Sequence, residues 1–233
     1  MNQPYQYAGS RAITAEGEFI RRVYNWMLTG LALTGGVAYF TASSETIMNL
    51  ILGNQLIMLL LIGAELAMVF LLVGRIQRMS ASTATTMFVV YSILNGLTLS
   101  VIFLAYTRSS LAAAFFTTAG TFGAMSFYGY TTKRDLTSMG GFLFMGLIGI
   151  VIASVVNIFL HSAMLEWMVT YIGVLVFVGL TAYDTQKIKA MSRGGFDGEA
   201  MESKAAIMGA LALYLDFINL FLMLLRIFGG SRD

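Results

Sequence analysis

The sequence predicts an all-α membrane protein built as a bundle of seven transmembrane helices, and three observations predict it. Hydrophobic residues make up 58% of the chain and charged residues only 11%, against roughly 25% charged in a typical soluble domain. Apolar segments long enough to cross a bilayer, about 20 residues each, recur from residue 22 to residue 228 and leave no stretch for a water-soluble core. The basic residues fall in short clusters between these segments, where topology signals belong.

The expected spans are 22–42, 55–74, 84–106, 110–130, 139–160, 166–188 and 206–228. The first follows Arg21 and Arg22 and carries Trp26 near its start, as an interface anchor would be placed. The second holds Glu65 and stops at Arg75; the third carries Asn95. The fourth lies between Arg108 and the Lys133-Arg134 pair, and the fifth contains Gly149 and Ala153, a small-xxx-small pair that permits close helix approach but arises readily by coincidence in a glycine-rich chain. The sixth has Trp167 at its start and Asp184 near its end, and the seventh, with Asp216 and Asn219, is the most polar. Pro4 is the single proline and lies outside every span, so continuous helices are expected. No internal repeat is visible.

Lysine and arginine orient the chain. Arg11, Arg21 and Arg22 at the tail, Arg75 and Arg78 after span two, Lys133 and Arg134 after span four, and Lys187, Lys189, Arg193 and Lys204 at and after the end of span six make 11 of the 14 basic residues, which places that tail and those loops in the cytoplasm. Arg226 and Arg232 strain the rule if span seven crosses fully; its length from Ala205 to Phe228 favours a crossing. The chain therefore divides into a cytoplasmic N-terminal tail, 1–21, and a membrane domain, 22–229. The tail has no apolar cleavable leader and is not the Arg-rich, acid-poor kind that addresses organelles, so a bacterial plasma membrane, the inner one, is expected. A net charge of +2 implies no nucleic acid partner, and the absence of cysteine removes thiolate metal sites and thiol nucleophiles. The lone His161 sits at an outer loop with no second histidine for a metal site, and no phosphate-binding or dinucleotide fingerprint occurs. No cofactor is implied.

Of the twelve acidic residues, three fall within spans: Glu65, Asp184 and Asp216. An ionised carboxylate inside a bilayer costs from a few to over ten kcal/mol, so each must be paired, protonated, hydrated or bound to a cation. At 1.5 Å per residue Asp184 lies roughly 6 Å from the cytoplasmic boundary and Asp216 and Glu65 roughly 15 Å. Contact between the aspartates is open on this count. If they meet, they share one proton, which makes the pair a pH sensor. The bland alternative has Asp216 bonded to a hydroxyl such as Tyr91 or Tyr183, Asp184 reaching the interface, and Glu65 as a protonated packing element. Asn219, one turn from Asp216, and Asn95 at mid-depth offer carbonyl oxygens to a hard cation, so calcium at Asp184 and Asp216 is permitted by the residues without being demanded. Glu65, Asn219 and Asn95 are secondary ion-pathway candidates.

The stretches Gly179-Leu-Thr-Ala-Tyr-Asp184-Thr-Gln186 and Leu213-Tyr-Leu-Asp216-Phe-Ile-Asn-Leu-Phe221 resemble the paired signatures of the transmembrane Bax inhibitor motif family, supported by 95–100 and 123–136. The resemblance, which runs from about Tyr24 to Gly229, is to bacterial inner-membrane members. It implies a seven-helix bundle with the last helix central and a pH-sensitive calcium leak. It also implies a di-aspartyl switch mapping onto Asp184 and Asp216, and in some bacterial members modulation of a membrane-bound protease. A basic latch on the second helix has no counterpart here; Glu65 occupies that helix.

Two other functions compete. An intramembrane aspartyl protease fits Tyr183-Asp184, but its second motif, Gly-x-Gly-Asp, is replaced by Leu213-Tyr-Leu-Asp216, with bulky side chains where substrate would approach. A noncatalytic regulator that binds another membrane protein would use the tail and the loop 191–204. The reading that the residues support is a non-enzymatic calcium leak channel or transporter gated by protonation of the aspartate pair, with lipid, calcium ions and protons as its partners.

Overall fold

The computed structural model describes the backbone of residues 3–229 and side chains from Thr14 onward; the side chains of Arg11 and Arg232, counted above for topology, lie outside the described residues. The described residues form α1 (Gln3–Ala42), α2 (Glu45–Leu52), α3 (Gln55–Arg75), α4 (Ala81–Leu99), α5 (Ile102–Ala105), α6 (Arg108–Thr131), α7 (Thr137–Leu160), α8 (Ala163–Arg193) and α9 (Glu199–Phe228), with a single 3-10 turn at Ile76–Arg78. Every expected segment is helical. Five stretches are long and apolar enough to cross a membrane: Gln55–Arg78, Ala81–Ala105, Thr137–Leu160, Ala163–Arg193 and Glu199–Phe228. The expected count of seven is therefore not reached by length and composition. The two segments left over, within α1 and α6, are diluted by Asn, Thr, Gly and Tyr.

Three boundaries differ from expectation. α1 is one continuous helix through the polar tail and the first segment, with Pro4 in its first turn, where the missing N–H costs nothing. α2 was not anticipated: its eight residues are too few for a span, and Ser44 caps it by accepting the Ile47 N–H. The third segment is not one unbroken helix. At Ser100 the backbone N–H is shared between the Gly96 and Leu97 carbonyls, while the hydroxyl donates to Leu97 O at 2.6 Å, and α5 restarts at Ile102.

The chain divides into two compact units, Met1–Ala105 with Lys189–Tyr214, and Tyr106–Ile188 with Leu215–Asp233. In the first, α1 packs on α4 and α3 on α4. Gly30 lies against Phe88, and Gly96 against Val37 and the Thr34 carbonyl, so that an added Cβ would clash. Tyr214, fully buried on α9, bonds Thr34 Oγ1 at 2.7 Å, and Thr34 donates to Ser92 O at 2.8 Å. The Phe88 and Tyr91 rings meet the Tyr214 ring edge-on. At one end of this unit, Arg193 pairs with Glu16 (2.9 Å), Arg22 with Glu202 (3.4 Å) and Lys204 with Gln77 O (3.2 Å), while Phe19 packs on Phe196. The tail thus sits with the loops that follow the second and sixth expected spans.

In the second unit, glycines bring α6 and α7 against α8. A Cβ on Gly129 would lie 2.2 Å from the Ala182 carbonyl, one on Gly140 2.3 Å from the Tyr183 ring, and one on Gly179 2.7 Å from Leu143. Gly149, by contrast, meets nothing within 4 Å, so it brings no neighbouring helix close among the described residues. His161 ends α7 in the left-handed region at φ 49°, its N–H bonded to Asn157 O. Arg226 pairs with Glu166 at 2.6 Å, tying the end of α9 to the start of α8 and supplying a partner for the cation that strained the topology rule.

The helices differ in how much protein surrounds them. Of their most apolar stretches, α9 has 67% of residues buried and α3 only 6%. Phe70 on α3 and Phe142 and Phe159 on α7 are among many exposed large apolar side chains, the surface of a chain solvated by lipid.

Candidate functional site

Asp184 on α8 and Asp216 on α9 meet within the second unit, their carboxyl groups in hydrogen-bonding reach of each other. Asp216 is 4% exposed; Asp184 is half-buried. The depth difference expected from counting residues does not keep them apart. α8 runs on to Arg193, past the assumed boundary at 188, and α9 begins at Glu199, before the assumed 206, so the two counts had no common starting level.

The chemistry of the contact is fixed by what each group offers. Two ionised carboxylates carry acceptors only, so the contact is a hydrogen bond when one proton lies between them. Asp216 Oδ2 is a buried oxygen with no hydrogen-bond partner among the described residues. Neither Tyr91 nor Tyr183 supplies the hydroxyl that a purely structural aspartate would use for that oxygen. Phe217, the residue after Asp216, meets the Phe115 and Phe122 rings edge-on at 5.9 and 5.4 Å. Lys187, one turn beyond Asp184, is the nearby cation, its Nζ 5.9 Å from the centre of the Tyr183 ring.

The backbone that carries Asp184 is held on three sides. Ala182 rests on Gly129 of α6 and Tyr183 on Gly140 of α7. Gln186, which ends the signature stretch, accepts the Leu136 N–H through Oε1 and donates to the Arg134 carbonyl through Nε2, both at 2.8 Å. Two backbone groups of the loop between α6 and α7 are thereby bonded to α8. In the same loop the hydroxyl and the N–H of Thr137 hold the Asp135 carboxyl below the usual aspartate range.

Sequence reasoning missed Gly129, Gly140 and Gln186. Gln186 lay inside the signature, but a lone Gln has no sequence mark that distinguishes a clamp from a solvated residue. The secondary candidates divide. Asn219 turns its amide back to the Leu215 carbonyl at 2.8 Å. Glu65 and Asn95 come together in the first unit: Asn95 Nδ2 donates to Glu65 Oε2 at 3.4 Å, and the Thr98 hydroxyl donates to Glu65 Oε1. Among the described residues no three His, Cys, Asp or Glu side chains gather as a metal site.

The family described as inhibitor of apoptosis-promoting Bax1 matches residues 16–233. Similar proteins include the inner membrane protein YbhL of Escherichia coli, 55% identical over 92% of this chain and 92% of its own. An uncharacterized protein of Borreliella burgdorferi is 43% identical over 95% of each chain. An uncharacterized membrane protein of Streptococcus pyogenes is 38% identical over 92% of this chain and 93% of its own.

Proposed function

The chain belongs to the Bax inhibitor family, and from that premise we propose that it is a seven-span protein of a bacterial inner membrane that leaks calcium through a path opened and closed by the protonation of Asp184 and Asp216. The observation that carries the reading is the contact between these two carboxyls, with Asp216 buried and its Oδ2 without a protein donor. At low pH the shared proton joins the two helices and neutralises one charge. When it leaves, two like charges in a poorly hydrated site repel, by a few kcal/mol at an effective dielectric of about 20. A cation entering the site relieves that repulsion.

Calcium is cargo in this reading. Two carboxylates offer four oxygens and calcium takes six to eight, so water completes the shell and the ion passes on instead of staying. The N-terminus is cytoplasmic, as the gathering of the tail with the two basic loops supports. No catalysis is assigned: Leu213 and Tyr214, fully buried just before Asp216, leave no approach for a substrate backbone.

The test is calcium flux into liposomes holding the purified chain. Flux falls as pH is lowered through the titration of the pair. Asp216→Asn, whose amide donates permanently to Asp184, gives a low flux that no longer responds to pH. A flux indifferent to pH and to both Asp184→Asn and Asp216→Asn overturns the reading; binding to a membrane protease without any flux replaces it with the regulator.

A further inference from the structure

The cluster around Glu65 lies in the first unit, on α3 and α4, and the aspartate mechanism does not use it. Glu65 is half-buried, while Asn95 and Tyr91 are 8% and 3% exposed. The donors and acceptors do not balance. The Thr98 hydroxyl gives its one hydrogen to Glu65 Oε1, and the Asn95 amide nitrogen reaches Oε2 only at a long 3.4 Å. Against these stand two carboxylate oxygens with several lone pairs and the Asn95 Oδ1, which is buried with no hydrogen-bond partner. Leaving such an oxygen unpaired costs about 1–3 kcal/mol.

The Asn95 nitrogen faces Glu65, so the carbonyl oxygen on the same carbon lies in the same buried volume. A half-turn of the amide brings that oxygen to the carboxyl group, an arrangement made favourable by a proton that Glu65 donates to it or by a cation that takes the proton's place. The oxygens of Glu65, Asn95 and Thr98 are all hard donors. Charge decides the ion: one carboxylate is neutralised by a monovalent cation, whereas a divalent ion leaves a net positive charge that is costly away from water. The other titratable groups facing Glu65 are the Tyr91 phenol on α4 and the Tyr214 phenol on α9, and a phenol carries no charge near neutral pH; Glu65 has no ion pair among the described residues.

We propose that Glu65, Asn95 and Thr98 form a second ion site, separate from the aspartate pair, that takes a sodium-sized monovalent cation in exchange for a proton on Glu65. The site stands whether or not calcium passes the aspartates.

The purified full chain in lipid nanodiscs is titrated with sodium chloride at constant ionic strength, with N-methylglucamine as the replacing cation. Binding is read by sodium NMR and proton release by a pH indicator in weak buffer. Sodium binds saturably, releases a proton, and binds more tightly as pH rises. Glu65→Gln abolishes the binding, Asn95→Leu weakens it about tenfold or more, and Asp184→Asn leaves it intact. Absence of saturable binding in the unaltered chain at alkaline pH overturns the proposal, and this measurement needs no variant to fold. Binding that survives Glu65→Gln, or that disappears in Asp184→Asn, overturns it equally.

Discussion

Asp184 and Asp216 are chemically alike, and the structure makes them unequal. Asp216, nine-tenths buried, has water replaced by protein on nearly every side, while Asp184 keeps part of its surface and a lysine one turn away. Asp216→Leu removes the acceptor that shares the proton and leaves Asp184 able to ionise alone. We expect this variant to lose the pH response of flux yet remain folded, as judged by thermal unfolding in detergent. Glycines give a sharper contrast. Gly129→Ala places a Cβ 2.2 Å from a backbone oxygen that cannot turn aside, so it should destabilise by about 1–3 kcal/mol or more. Gly141→Ala meets nothing within 4 Å and should change the unfolding temperature little. The two aspartates were legible in the sequence because acids inside apolar runs are costly. Their contact was not, because it depends on where helices end and how they pack. Nor was the difference between Gly129 and Gly149, since both are glycines within expected spans and what each one packs against is set by the tertiary arrangement.

At the scale of elements, Gln186 joins a loop to a helix by two hydrogen bonds at 2.8 Å. Gln186→Ala leaves the Leu136 N–H and the Arg134 carbonyl without that partner and should cost about 1 kcal/mol for each bond, seen as faster hydrogen exchange across residues 132–137. Asp135 in the same loop offers a pH-dependent check. Its folded carboxyl is held below the ordinary value by the Thr137 hydroxyl and N–H, so its contribution is present above the unfolded titration range and lost as pH falls through the folded one. Thr137→Val should move that titration upward, measured by NMR of the Asp135 carboxyl, and the first turn of α7 should then exchange its amides faster at mildly acid pH. The long helices were readable from apolar length. α2 escaped because a span-sized window passes over eight residues, although the cap at Ser44 was there to be found. The break at Ser100 escaped because serine within an apolar run breaks a helix only when its hydroxyl and neighbours turn that way.

For the whole molecule, orientation is the property most open to experiment. The chain has no cysteine, so single cysteines report cleanly. One at Lys133 should resist a membrane-impermeant thiol reagent added outside intact cells, and one at His161 should react. Reaction at Lys133 with protection at His161 would reverse the proposed topology. The Arg226 and Glu166 pair is partly exposed at 42% and 44% and is worth at most about 1 kcal/mol. It gives the cation at the end of α9 a partner more than it secures the fold. The α9 helix itself has a further meaning for biogenesis. It is the most enclosed of the five candidate spans, yet in synthesis it follows all the other helices described. The earlier helices therefore enter the bilayer before the element that most of α9's own surface is built against them to fill. A chain halted before residue 199 would leave exposed to lipid the faces that α9 covers, so we expect such a truncation to be degraded faster than the full chain in a pulse-chase measurement.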